Sequence, residues 1–272
     1  MIPLIMLIST NNISLFTKNY LVPNAKAHIL IVHGLGEHAE RYIHVANALN
    51  TLRANVYTFD LRGHGRSGGE QAFVTNINSY VEDVETVVQT IPKDLPLIVI
   101  GHSAGGLIAL KFLLQTQRTI KASIFSGAAL EAGEDFTPTT QKIVAFLGKY
   151  FPKLKTVKLI IENLSKDQKV IENVKNDPLM YKEGIKAGLG LALMVAIEEV
   201  KKQFSIFNLP VLIMHGKEDR LSNIKGSLAF YNQCDSKDKT LQIWEGAYHE
   251  IFNETNKEEV LNFMLDWLKE RL

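Results

Sequence analysis

The stretch LPLIVIGHSAGGLIALKFLL, residues 95–114, decides how the chain is read. Leu97–Ile100 is a short run of branched apolar residues, which suits a buried strand, and Leu107–Leu114 suits a buried helix. Between them Gly101, His102, Ser103, Ala104, Gly105 and Gly106 offer neither bulk for a core nor an ordinary turn. Glycines two positions before and after Ser103 let the backbone turn tightly and let strand and helix pack closely. A strand turning into a helix through G-x-S-x-G is a nucleophile elbow. It presents a serine hydroxyl at a helix N-terminus, where the first amides and the helix dipole favour a developing negative charge.

Outward from this point, similar runs recur, several ending in glycine: residues 28–34, 55–63, 95–101, 121–127, 209–216 and 239–246. Continuous rather than alternating apolar strands are what a sheet covered on both faces requires. Helical stretches separate them at Tyr42–Leu52, Ile77–Thr90, Leu107–Gln115, Ile224–Gln233 and Glu258–Leu272. The alternation predicts an α/β fold with a doubly wound, mostly parallel sheet and a site at the carboxyl ends of its strands. Between about Leu130 and Phe207 the pattern breaks. This stretch is lysine-rich, has no clear strand, and reads as helical at 136–151 and 183–204. Ile143, Val144, Leu147, Tyr150 and Phe151 share one face at helical spacing. The expected organisation is a core of residues 1–129 and 208–272 with a helical cap inserted at 130–207.

Composition narrows the function. The chain has 272 residues, 46% hydrophobic and 22% charged, with a net charge of +1, so no basic field favours nucleic acid. One cysteine, Cys234, forms no internal disulfide, and no Cys/His group has zinc spacing, so neither metal nor cofactor is expected. The opening MIPLIMLI lacks a basic flank, contains Pro3 and meets Asn11 too early for a signal core or membrane span; it reads as a first strand. A cytoplasmic protein is expected, with no signal peptide or transmembrane helix. Oligomeric state is not encoded in any of these patterns.

A neutral serine needs a base, and the base needs an orienting acid, in the order serine, acid, histidine for this kind of elbow. Of eight histidines only His215 and His249 follow Ser103. His215 closes a strand and reads as a structural residue beneath the loop. His249 lies in the loop EGAYHE after the strand TLQIW, where it can reach the elbow, and is the candidate base. Asp219 in HGKEDRLS is the candidate acid, with Glu218 facing solvent beside it and Glu131 and Asp135 as rivals after an earlier strand. Asp60 falls outside the order and suits local backbone bonding. The amide of Ala104 and that of Leu35, in the loop HGLGEH, are the candidate oxyanion donors. His33 in that loop reads as a brace.

These residues resemble the monoacylglycerol lipases of the α/β-hydrolase superfamily. The blocks HGLGEHAERY, FDLRGHGRSGGE, GHSAGG, NDPL, HGKEDRLSNIKGS and DKTLQIWEGAYHE look like that family's, in its order, from about His28 to the C-terminus. GHSAGG marks only the superfamily; GEHAERY together with EGAYH is more specific. The resemblance implies an α/β-hydrolase fold, Ser103, Asp219 and His249 as a triad, and Leu35 and Ala104 as amide donors. It places Glu37 and Arg41 near the small alcohol end of the pocket, as glycerol contacts or as a salt bridge supporting the loop. Members of the family can carry a further histidine three positions after the catalytic one; this chain has Phe252, which bears on head-group preference. Where the family elbow often has methionine after the serine, this chain has Ala104, which keeps the amide.

The implied reaction is cleavage of a small-molecule lipid ester, monoacylglycerol foremost, with a lysophospholipase or broad carboxylesterase as the alternative. Haloalkane dehalogenases and epoxide hydrolases need an aspartate at the elbow, against Ser103. Carbon–carbon bond hydrolases and cofactor-free haloperoxidases share the triad. A binding protein descended from a hydrolase commonly loses the serine, the base or the oxyanion loop, and all three are present here. The cap stretch 142–159 combines an apolar face with Lys142, Lys149, Lys153, Lys155 and Lys158. That pattern suits either a peripheral membrane contact or a helix whose lysines are simply solvated.

Overall fold

A computed structural model describes residues 4–9, 12–134, 136–158 and 160–272. It contains one eight-stranded sheet in the order β1-β2-β4-β3-β5-β6-β7-β8. β3 (Ala27–Val32), β4 (Ala54–Phe59), β5 (Leu97–His102), β6 (Ile120–Ser126), β7 (Val211–Gly216) and β8 (Lys239–Trp244) are parallel. β1 (Leu4–Ile8) and β2 (Ser14–Tyr20) add an antiparallel edge. The sheet is the one the sequence predicts, with β2 added. Its SLFTKNY mixes polar and apolar residues because it lies near the rim, between β1 and β4, where only part of each face is covered.

Every residue of β3, β5 and β7 is buried. Strand alternation sends successive side chains into two separate layers. Leu30, Val32, Val99, Phe125 and Ile213 join α2 (Asn78–Thr90), α3 (Ala104–Leu113) and α6 (Ala187–Lys201) on one face. Ile29, Ile31, Ile98, Ile100, Leu212 and Met214 pack with α1 (Ile43–Asn50) and α8 (Lys257–Lys269) on the other. α7 (Ile224–Gln233) contributes Phe230 to the first layer. Cys234 is buried and free.

Between β6 and β7 lie α4 (Pro138–Tyr150), α5 (Gln168–Asn176) and α6. Thr137 caps α4 by accepting from the Thr140 amide at 3.2 Å, with Pro138 in the first turn. The α4 face differs from the one the spacing predicts. Val144 and Gly148 are buried, whereas Ile143, Tyr150 and Phe151 are exposed. The cause is close helix packing: a Cβ on Gly148 would stand 2.6 Å from the Ala187 carbonyl oxygen, so the glycine rather than the larger residues meets α6. α5, absent from the sequence reading, is capped by the Asp167 carboxylate and buries Ile171 and Val174. α6, within the inserted segment, also packs on the core. Its Leu189, Ala192, Ala196 and Val200 belong to the main core beside α3.

At the elbow, space rather than left-handed backbone explains the glycines. A Cβ on Gly105 would lie 2.2 Å from the His33 carbonyl oxygen, and one on Gly101 2.7 Å from the Gly106 Cα. Ser103 itself takes the positive φ, 53°. Gly105→Ala is therefore expected to lower stability by about 1–3 kcal/mol through overpacking against backbone. Gly184→Ala, whose Cβ would make ordinary contacts from 3.4 Å outward, should be near neutral. Equal thermal unfolding midpoints for the two variants would contradict this account of the elbow.

Candidate active site

Ser103 stands between the end of β5 and the first turn of α3, held by its amide to the Ser126 carbonyl at 3.0 Å. Its own carbonyl accepts from the amides of Gly106 and Ala129, both at 2.9 Å. A non-glycine residue at positive φ costs about 1–3 kcal/mol and persists only where the surroundings over-determine it. Here two strands and a helix do so.

The loop after β8 brings His249 to Ser103, with Nε2 2.8 Å from Oγ. The loop after β7 brings Asp219, whose Oδ2 accepts from His249 Nδ1 at 2.7 Å. That bond fixes the tautomer: Nδ1 carries the proton and Nε2 presents its lone pair to the serine hydroxyl. Asp219 is buried and also accepts from the amides of Leu221 at 2.8 Å and Ser222 at 3.0 Å. Burial disfavours its charge, but the His249 charge and the hydrogen bonds from the His215 and His249 imidazoles outweigh that and hold its pKa well below the carboxylate range. Burial likewise works against a charged His249, and the Asp219 carboxylate outweighs it, leaving the imidazole pKa raised.

His215 is more than a prop beneath the loop. Its Nε2 lies 3.0 Å from the Ser222 carbonyl and 3.1 Å from Asp219 Oδ2, while Nδ1 meets the Ser227 hydroxyl at 2.8 Å. Because a carbonyl only accepts, Nε2 carries the proton and also donates toward the aspartate. His33 braces the neighbouring loop, with Nε2 accepting from the Leu61 amide at 2.9 Å. Asp60 binds the amides of Ala39 and Arg66. Glu218 is exposed and Glu131 pairs with Lys201, while Asp135 lies outside the described residues.

Leu35 and Ala104 line a cavity of about 130 Å³ together with Ser103 and His249. Its remaining wall is mostly apolar, including Ile161, Leu164, Met180 and Leu193 from the segment between β6 and β7. Ala129, Ile185, Leu193 and Leu221 are shared with a second apolar cavity of about 250 Å³ reaching α4. The charged residues lining the first cavity are Glu37, Glu250 and Lys182. Arg41 lies behind the two carboxylates, bonding Glu37 at 2.9 Å and both Glu250 oxygens at 2.6 Å. One guanidinium serves two buried carboxylates unequally. Burial raises both; the bidentate contact pulls Glu250 far down, whereas Glu37 stays raised. Glu37 is thus a buried carboxyl that readily holds a proton beside the cavity.

Two further placements differ from the sequence-based picture. Phe252 does not reach the cavity: it is 2% exposed, packed in the core layer of α1 and α8, and only its carbonyl is used, accepting from His44 Nε2 at 2.8 Å. A short 3₁₀ turn at Ile251–Asn253 directs its ring inward. His102, by contrast, packs its ring 4.8 Å from that of His249, with Nδ1 bonded to the Ser126 carbonyl. Burial and the nearby His249 charge lower its pKa to about 3, so it stays neutral. Position x of G-x-S-x-G is where such a neighbour could have been sought. Among the described residues no group of His, Cys, Asp and Glu has the arrangement of a metal site, and no helix is long and apolar enough to cross a membrane.

Comparison with known proteins places this geometry. Residues 23–256 match the family model Hydrolase_4, serine aminopeptidase S33. The chain is 33% identical over 247 residues to a monoacylglycerol lipase of Mycolicibacterium smegmatis, covering 90% of this chain and 88% of that one. It is 30% identical over 253 residues to the monoglyceride lipase of Mus musculus, covering 91% and 84%. It superposes on a soluble variant of monoglyceride lipase from Saccharomyces cerevisiae, solved with a substrate analog, with a TM-score of 0.90 and 25% identity, covering 100% and 95%. The chain belongs to the Hydrolase_4 family, serine aminopeptidase S33, and is a monoacylglycerol-lipase-like serine hydrolase of the α/β-hydrolase fold.

Proposed function

We propose that this protein hydrolyses monoacylglycerol to a free fatty acid and glycerol through an acyl-enzyme, with residues 130–207 acting as a cap over the site. The observation that carries the reading is the continuous hydrogen-bonded chain from Ser103 through His249 to Asp219, whose first two members open on a cavity lined mostly by apolar residues together with Glu37, Glu250 and Lys182. Ser103 Oγ attacks the ester carbonyl while His249 Nε2 takes the hydroxyl proton, and Asp219 stabilises the imidazolium. The amides of Leu35 and Ala104 receive the oxyanion. Collapse breaks the ester bond, and the imidazolium returns the proton to the departing glycerol oxygen. Water, deprotonated by His249, then attacks the acyl-serine, and the second collapse frees the fatty acid and restores Ser103.

The apolar wall and the cavity beyond it suit one acyl chain. Glu37 faces the head-group end directly and Arg41 acts through it, so glycerol recognition and loop support are one arrangement. The names of the relatives support this substrate class. Purified protein should release fatty acid from monoacylglycerol faster than from triacylglycerol or lysophospholipid in matched dispersions, and Ser103→Ala should abolish release. Faster turnover of lysophospholipid would move the assignment to that ester.

The raised His249 pKa sets the pH dependence. A protonated imidazole cannot accept the serine proton, so kcat/KM should rise with pH through a midpoint above the ordinary histidine value of about 6.5. Asp219→Asn removes the charge that raises it. That variant should lose about 10⁴-fold in kcat and move its acid limb downward. An unmoved limb would assign the limb to another group.

The cap supports a peripheral membrane contact. Ile143, Phe146, Tyr150, Phe151 and Leu154 are each more than half exposed on and after α4, with Lys142 and Lys149 beside them. Lys153 and Lys155 are partly engaged by Glu70 and Glu183, and Leu159 lies outside the described residues. Each free lysine near an anionic surface adds about 1 kcal/mol, screened by salt. Phe146→Ser should weaken binding to anionic vesicles and slow turnover of a vesicle-borne monoacylglycerol more than that of a soluble short-chain ester. Equal slowing of both would leave α4 a purely structural element.

A further inference from the structure

The loop carrying His249 runs from the end of β8 at Trp244 to the start of α8 at Lys257, with the short 3₁₀ turn at Ile251–Asn253 following the histidine. Among the side chains that hold it is one that the proposed mechanism does not use. Glu254 is 1% exposed, and every partner of its carboxylate is a donor. Oε1 accepts from the amide of Tyr248, the residue before His249, at 2.7 Å. The amide of Lys166 reaches Oε1 at 3.2 Å and Oε2 at 3.1 Å, the Ser165 hydroxyl reaches Oε2 at 3.2 Å, and the Thr255 amide reaches Oε2 at 3.3 Å.

Two of those partners come from the segment between β6 and β7, some ninety positions earlier in the chain. That segment makes further bonds to the same loop. The Leu164 carbonyl accepts from the Glu250 amide at 2.8 Å, and the single hydroxyl proton of Ser165 is shared between Glu254 Oε2 and the Asn253 carbonyl, 3.0 Å away. Leu164 also lines the cavity. The residues on both sides of His249, Tyr248 and Glu250, are therefore each bonded through their amides, one to Glu254 and one to the cap segment directly.

From this arrangement we propose that Glu254 is the positioning residue for His249: its buried carboxylate clamps the loop before the base and ties it to Ser165 and Lys166, so that placement of the imidazole depends on the seating of the cap. The inference rests on His249 being the base. A carboxylate fits this role because it offers several lone pairs and no donor. An amide in its place would turn an NH₂ toward at least one backbone N–H and leave buried donors unpaired. A side chain acting at this remove alters the angle between His249 and Ser103 without touching the substrate, and small misplacements of reacting groups are costly.

The test is Glu254→Gln, with Ser165→Ala as the variant that keeps the carboxylate but removes a cap donor. On a soluble short-chain p-nitrophenyl ester, Glu254→Gln should lower kcat by about 10- to 100-fold with KM within about twofold. The downfield proton resonance of the His249–Asp219 hydrogen bond should shift or broaden in the folded variant, which a loss of overall stability alone would not produce. Ser165→Ala should lower kcat several-fold and move the same resonance, and it decides the matter if Glu254→Gln does not fold. A wild-type resonance with wild-type kcat overturns the proposal, as does a loss of kcat with the resonance unmoved. Because the resonance needs no substrate, a wild-type protein inactive on esters would sink the reading of Ser103 as nucleophile while leaving the clamp to be judged from the spectrum.

Discussion

Ser103 is held at a φ of 53°, a conformation that L-residues resist, and much of the structure around it serves to keep it there. The amide is fixed by β6, the carbonyl by α3 and the segment after β6, and the helix start is pressed so close to β3 that only glycine fits at position 105. The strain has a direction. It lifts the hydroxyl out of the sheet and toward His249, at the carboxyl ends of the parallel strands where the loops after β7 and β8 converge. Remove the close approach of α3 to β3 and the turn could relax, taking the hydroxyl out of line with its partner.

Around this turn, charge is handled by pairing unequal environments. Asp219, buried with two amides and two imidazoles as donors, remains an anion. His102, equally buried but without an anionic partner in hydrogen-bond contact, stays neutral beside His249. Glu37 and Glu250 share one arginine, and the bidentate geometry favours Glu250. A single site therefore contains a firm anion in Asp219, an imidazole in His249 whose pKa is raised, and a carboxyl in Glu37 that holds its proton readily. None of these follows from residue type alone; each follows from how deeply the fold buries the group and which donors and charges it sets beside it.

The segment between β6 and β7 is divided in its loyalties. α6 is part of the core, packed beside α3 through alanines and leucines. α5 and the residues before it form a small apolar cluster of their own, Leu164, Ile171, Val174 and Met180, over the cavity. His38 on the loop after β3 reaches Asp177 at the end of α5 at 2.8 Å, a polar tie between that cluster and the sheet side of the site. α4 leans outward, showing solvent the aromatic side chains that helical spacing would have turned inward.

The sequence by itself determined the sheet and the identity of the side chains that meet at its edge. Buried parallel strands need uninterrupted apolar runs, and a sharp strand-to-helix turn needs small residues around its apex, so both leave local signatures. The order of Ser103, Asp219 and His249 along the chain was readable because each sits just past such a run. What only the tertiary structure decided is orientation. β2 escaped notice because a strand near the rim need not be apolar, and α5 because its buried face is only two residues wide. Phe252 turned into the core, His215 turned out to touch Asp219, and α4 presented a glycine to its neighbour. The first and last depend on contacts between residues tens or hundreds of positions apart, and the His215–Asp219 contact, four positions apart, on how the loop after β7 folds back over its strand. Local periodicity carries no record of such contacts, since it measures which faces are apolar and not what each face will meet.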